Sequence, residues 1–227
     1  MTHAHATTAD MMRAPFPAEP GAGIYSNKLG MWIFLASDVM FFTALIGTYI
    51  ILRFGASTPW PQPGAVLNVP LTAFNTFVLI CSSVSMVKAF ASIADGNQKG
   101  LRFWLLMTML GGSMFVGIQV FEYIKLSGHG LLPSGFADGS AVAEHAAGDP
   151  VKYGLASAGL YGSTFYSMTG FHGFHVTCGV VCMTWVYFKA LRGGYTQQDY
   201  RGVEVIGLYW HFVDLVWIIL FTIVYLI

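Results

Sequence analysis

Five long apolar stretches separated by short polar segments limit what this sequence can fold into. Only 10% of the 227 residues are charged, whereas 55% are hydrophobic, and most of the charges lie between the apolar stretches. A bilayer core of about 30 Å is spanned by a helix of about 20 apolar residues. The pattern therefore predicts an all-α integral membrane protein, built as a bundle of five transmembrane helices.

The predicted helices cover about residues 30–52, 70–90, 101–126, 155–188 and 203–227. The proline-rich segment 58–64 ends the first helix, since repeated prolines exclude helix, and Pro70 suits the first turn of the second. Residues 1–28 are polar and lack the apolar core of a signal peptide, which indicates a flexible cytoplasmic tail. Residues 29–227 form one transmembrane domain, because the sequence shows no internal repeat.

Lysine and arginine predict the orientation, because they are enriched on the cytoplasmic side of a membrane. With five crossings, the N-terminal tail and the second and fourth loops share one side. That side carries eight such residues: Arg13, Lys28, Lys88, Lys99, Arg102, Lys189, Arg192 and Arg201. The other side carries only Arg53, Lys125 and Lys152. We therefore expect the N-terminus inside and the C-terminus outside.

The neutral net charge gives no indication of nucleic-acid binding. The cysteines Cys81, Cys178 and Cys182 lie within apolar stretches, where packing is the expected role, and they form no ligand or disulfide pattern. His3 and His5 in the tail are expected to be solvated.

Ionisable side chains inside predicted membrane helices are the candidate functional residues, because each is costly to bury and needs a partner. A rise of about 1.5 Å per residue places most of them at similar depths, whereas Glu122 lies nearer the outer surface. The candidates are Asp38, Glu122, His172, His175, His211 and Asp214. They fit an interhelical hydrogen-bond cluster, a proton-handling group, or a metal or haem site such as a b-type haem between His175 and His211. The spacing leaves open whether they form one site or two.

Four segments on four predicted helices resemble subunit III of the haem-copper terminal oxidases. The most specific are Gly170–Val176, reading GFHGFHV after the YGSTF of 161–165, and Tyr209–Trp217, reading YWHFVDLVW. The sequence SDVMFF at 37–42 and FEY at 121–123 agree as well, and all four occur in a consistent order from about residue 30 to the C-terminus.

The resemblance implies a non-catalytic subunit of an aa3-type cytochrome c oxidase in a bacterial inner membrane. No catalytic, cofactor-binding or metal-binding residue is then expected in this chain; haem a and copper belong to partner subunits. Such a subunit packs against subunit I, and the complex contains subunit II and in some cases a small subunit IV, with cytochrome c as donor. It also binds structural phospholipid and supports proton uptake by subunit I.

Lipid contact is expected at three residues. The resemblance places Lys189 near a basic residue that contacts lipid in relatives, and Trp210 and Trp217 belong to a last helix rich in aromatic residues. Two departures from the family pattern matter. The chain has the five helices of shorter bacterial forms instead of seven, and Asp38 stands where glutamate is common, so its partner is undetermined.

The alternatives differ in class. The same resemblance fits subunit III of a quinol oxidase or an accessory protein of a nitric oxide reductase. A stand-alone haem-b membrane cytochrome is less favoured, because nothing in the sequence beyond the facing positions of His175 and His211 supports a haem site. An independent transporter is disfavoured too, since transporters usually have repeated halves or broken helices.

Overall fold

The computed structural model describes residues 25–137, 144 and 147–227. Five helices in this part are long and apolar enough to cross a membrane. They are α1 (Ser26–Gly55), α2 (Val69–Ala94), α3 (Gln98–His129), α4 (Ala158–Leu191) and α5 (Arg201–Phe221), the last continuing as a wider helical turn over Thr222–Leu226. The predicted class, a multi-pass all-α membrane protein with five spans, is confirmed.

Short elements fill the connections on one side of the bundle. A single helical turn, Pro63–Val66, precedes α2, and Pro150–Tyr153 and Leu155–Ser157 form turns before α4. After α3, β1 (Leu131–Leu132) pairs antiparallel with β2 (Gly135–Phe136). Asn68 and Asn97 begin α2 and α3 by accepting hydrogen bonds from the backbone N–H groups of Leu71 and Gly100. Gly130 ends α3 in the left-handed conformation, with φ of 98°.

Most helix ends lie beyond the predicted ones. The predicted helices end at the first polar residues, because the prediction followed hydropathy. Helical hydrogen bonding continues through several polar residues at the membrane surface. The first helix begins at Ser26, two residues before the predicted end of the tail at residue 28, and Lys28 contacts α5. The fourth helix begins later than predicted, at Ala158, because the turn Leu155–Ser157 precedes it. His3, His5 and the rest of residues 1–24 lie outside the described residues.

The helix α5 occupies the centre of the bundle. It packs against α1, α2 and α4, and half of the residues in its most apolar stretch are buried. Its two indoles, Trp210 and Trp217, are each only 1% exposed, because positions seven apart return to the same face of a helix. The ring of Trp210 packs against Gly112 of α3 and Gly179 of α4, where any side chain would collide with it.

By contrast, α1 lies at the edge of the bundle, against α4 and α5, and buries only Asp38, Phe42 and Tyr49. Polar contacts hold both of its ends. At the first end, the Lys28 ammonium lies 2.5 Å from the Glu204 carboxylate of α5, to which the Tyr25 hydroxyl also donates. At the other end, Arg53 donates to the carbonyl of Ile227.

Candidate functional site

The buried ionisable residues form separate pairs and not one cluster. Asp38 of α1 lies beside His175 of α4, with 3.4 Å between Oδ2 and Nε2. The Nδ1 of His175 lies 2.7 Å from the carbonyl oxygen of Phe171, and because a carbonyl only accepts, Nδ1 carries a hydrogen. Asp38 and His175 thus lie side by side, but Oδ2 of Asp38 makes no hydrogen bond within residues 25–137, 144 and 147–227.

This pair lies at the edge of the bundle. The two side chains keep 12% and 14% of their surface exposed, in contrast to the interior residues of α5. The ring of Phe42 packs edge-on against His175, and the hydroxyl of Tyr209 donates to the His175 backbone carbonyl across 2.8 Å. Helices α1, α4 and α5 thus meet at one acid–imidazole pair at the partly exposed edge of the bundle.

His172 lies three residues before His175 but belongs to a different environment. It is fully buried, and neither ring nitrogen has a hydrogen-bond partner within the described part of the chain. Its ring stacks on Trp217 with centroids 4.7 Å apart and meets Phe115 edge-on. His172 therefore acts as an aromatic packing residue in the described structure.

A second polar pair joins α2 and α5. The Oγ of Ser83 lies 2.7 Å from Nδ1 of His211, and Asp214 follows one turn later on α5. Asp214 is 7% exposed, and its Oδ1 has no hydrogen-bond partner among residues 25–137, 144 and 147–227. The sequence predicted His211 and Asp214 but not Ser83, because serine on a membrane helix also occurs as a small packing residue.

Glu122 of α3 forms a third group nearer the other end. The Thr72 hydroxyl of α2 donates to Glu122 across 2.9 Å, and the Tyr225 hydroxyl lies 3.5 Å from the same oxygen. One turn along α2, the Thr76 hydroxyl accepts from the Trp217 N–H across 2.9 Å. Hydroxyls on one face of α2 thus bond both α3 and α5.

Two further groups of polar contacts were not predicted from the sequence. One lies between α3 and α4, where Gln119 donates to the Thr169 carbonyl across 2.8 Å. The hydroxyls of Tyr123 and Thr169 are also hydrogen-bonded there, 2.6 Å apart. The other is the Tyr25–Lys28–Glu204 contact between α1 and α5. Burial, reinforced by the Glu204 carboxylate, raises the pKa of Tyr25 above its usual value. Glu204 precedes His211 by two helical turns, a spacing that could have signalled a polar stripe on α5.

Two of the three residues of the lipid-contact prediction, Trp210 and Trp217, lie inside the bundle in this structure. Trp210 and Trp217 donate their N–H groups inward, to Ser82 and Thr76 of α2, and their rings are almost fully enclosed. Lys189 is exposed at the end of α4, with its ammonium 4.5 Å from the ring centre of Tyr195. The face of a neutral phenol ring attracts such a cation, and burial raises the pKa of Tyr195 further above its usual value.

No group of three or more histidine, cysteine, aspartate or glutamate side chains in the described residues is arranged to hold a metal ion. The described geometry is thus that of a helical membrane protein whose isolated polar pairs join its helices. Comparison with known proteins gives the family. The profile of the family described as cytochrome c oxidase subunit III matches residues 22–130 and 151–227.

Individual relatives agree with this match. The chain is 35% identical over 199 residues to "Cytochrome c oxidase subunit 3" of Thermostichus vulcanus, covering 87% of this chain and 86% of that protein. It is 34% identical to "Probable cytochrome c oxidase subunit 3" of Mycobacterium bovis, covering 88% and 87%. It is 29% identical to "Probable quinol oxidase subunit 3" of Staphylococcus aureus, covering 88% and 89%. The chain belongs to the cytochrome c oxidase subunit III family, and the predicted resemblance is confirmed.

Proposed function

We propose that this chain is the non-catalytic subunit III of an aa3-type cytochrome c oxidase in a bacterial inner membrane. It lies with its N-terminus in the cytoplasm, packs against subunit I and shares the complex with subunit II, which some of these oxidases supplement with a small subunit IV. Haem a and copper reside in the partner subunits, and cytochrome c delivers the electrons. The observation that carries the proposal is the 35% identity, across most of both chains, to a relative named as a cytochrome c oxidase subunit.

The role that we propose for this subunit is to stabilise subunit I and support its proton uptake. The pair Asp38–His175 supports this role, because it places a carboxyl group beside an imidazole at the partly exposed edge of the bundle. Carboxylates and imidazoles in membrane interiors commonly relay protons. Structural phospholipid binds at Lys189, because this residue is exposed and its ammonium can pair with a phosphate.

A quinol oxidase is the second candidate, favoured by the relative from Staphylococcus aureus. The two candidates differ in the subunit that accepts electrons from the donor. A cytochrome c oxidase has a subunit with a CuA centre, whereas a quinol oxidase does not.

Purification through an affinity tag on this chain, from mildly solubilised membranes, separates the candidates. We expect the purified complex to contain haem a, a copper-bearing subunit II and cytochrome c oxidase activity. A complex without CuA that oxidises quinol would favour the second candidate. A tagged chain that comes alone and carries stoichiometric haem would contradict both.

A further inference from the structure

An open groove runs along the outer surface between α2 and α3. Its volume is about 520 Å³, and its lining is almost entirely apolar. The large side chains Phe74, Phe77 and Phe103 are more than half exposed along it, and the small residues Cys81 and Gly111 lie between them in the lining. On α2 the groove extends from Phe74 to Ser85, a length of about 16 Å at 1.5 Å per residue.

This length is similar to the thickness of one hydrocarbon leaflet, which is half of a core of about 30 Å. An extended acyl chain therefore fits the groove in length and in polarity.

Two lysines lie at one end of the groove. On α2, residues 78, 81 and 85 line the groove, and Lys88 lies one turn further along the same face. On α3, Lys99 lies one turn before Phe103, which also lines the groove. Both lysines are exposed, and the Lys88 ammonium lies 4.4 Å from the ring centre of Trp104, itself a lining residue. The apolar walls thus end in two cations, one on each wall.

The neighbouring charges leave this end positive. Asp95 is the acidic residue of the turn that joins the two helices, and it is exposed. Arg102 adds a further cation, although its Nε donates to the Ala190 carbonyl and therefore points toward α4. A ligand with a long apolar chain and an anionic head complements the groove and its end together.

We propose that the α2–α3 groove binds an anionic phospholipid, with one acyl chain along the groove and the phosphate between Lys88 and Lys99. The site is separate from Lys189, and it refines the structural-lipid part of the proposed function. The inference rests on that part alone, so its failure leaves the subunit assignment unaffected. The alternative occupant is a transmembrane helix of a partner subunit.

The test uses the full-length chain in detergent, with bound dioleoyl phosphatidylglycerol and phosphatidylcholine counted by native mass spectrometry. We expect the wild type to prefer phosphatidylglycerol by about tenfold, because each lysine near an anionic headgroup contributes roughly a few-fold in affinity. The double substitution Lys88→Gln with Lys99→Gln should remove this preference. Lys125→Gln with Lys152→Gln removes the same charge elsewhere and should keep it.

A second pair of variants tests the acyl-chain part of the site. Cys81→Phe fills the groove and should release one tightly bound lipid, whereas Cys182→Phe, at an exposed position on α4, should not. Retention of the preference in the Lys88/Lys99 variant would overturn the proposal. So would equal lipid counts in the two phenylalanine variants. An assembly defect in Cys81→Phe without lipid loss from the isolated chain would also overturn it, in favour of a partner helix.

Discussion

At the scale of single residues, the same side-chain type serves different purposes according to its neighbours. His175 lies beside Asp38, His211 pairs with Ser83, and the ring nitrogens of His172 have no hydrogen-bond partner within the described residues. Burying a polar atom without a partner costs about 1–3 kcal/mol, so these histidines differ in what their removal does to stability.

Replacement of His172 by phenylalanine should leave the thermal midpoint unchanged or raise it. The new ring keeps the stack on Trp217 and removes two unpartnered nitrogens. His211→Phe is the matched control, and it should lower stability by about 1–3 kcal/mol because it removes the hydrogen bond between Ser83 and the imidazole. Thermal unfolding in detergent measures both, and a larger loss for His172→Phe would contradict this assignment.

Asp38→Asn tests the proposed proton role in the assembled oxidase. Because the pair lies at the edge of this subunit and not at a redox centre, initial oxygen consumption should stay largely intact. The loss should appear as a shorter lifetime under turnover or slower proton uptake at high pH. Asp95→Asn, an exposed acid in the α2–α3 turn, is the control and should match the wild type. An immediate loss of nearly all activity in a correctly assembled Asp38→Asn complex would refute this role.

The residue types of these positions were predictable from sequence, whereas their pairings were not. Positions three apart, such as His172 and His175, differ by about 60° around the helix, which is enough to give them different neighbours. The burial of Trp210 and Trp217 was also hidden, because a protein interior and a lipid surface both favour apolar side chains. Hydropathy therefore cannot distinguish the two faces of α5.

At the scale of elements, close approach of helices depends on glycines opposite the large indole of Trp210. A Cβ atom at Gly179 would lie 2.9 Å from this ring and 3.0 Å from Tyr209. The ring is fixed further by its N–H bond to Ser82. Helices α2, α3, α4 and α5 thus share one packing point.

Gly179→Ala should therefore destabilise the bundle by about 1–3 kcal/mol through overpacking, a fall of several degrees in thermal midpoint. Gly117→Ala on α3 is the control, because nothing lies within 4 Å of its new methyl group. Alanine favours helix over glycine, so this control should be neutral or slightly stabilising. Equal effects of the two substitutions would show that helix propensity and not packing governs the response.

At the scale of the whole molecule, the five spans and their order were predictable, because bilayer thickness sets helix length and charges are confined to the connections. The β1–β2 hairpin and the short turns before α2 and α4 were not, since segments of two to four residues leave no periodic signal. The orientation relative to the membrane remains a prediction from lysine and arginine counts.

Cysteines introduced at exposed loop positions test that orientation after the three native cysteines are replaced. A membrane-impermeant maleimide added to intact spheroplasts should label Ser57→Cys, in the loop between α1 and α2. It should label Gln198→Cys, between α4 and α5, only after the membrane is opened. The reverse pattern would place the N-terminus outside.

The attachment of α1 has a consequence for handling the protein. This helix buries few side chains along its length, and its ends are held by the Lys28–Glu204 ion pair and by Arg53. Ion pairs near water weaken as salt shortens the screening length, whereas apolar contacts do not. The salt concentration of a purification buffer therefore acts selectively on α1, and low ionic strength preserves its contact with α5 at the Lys28 end.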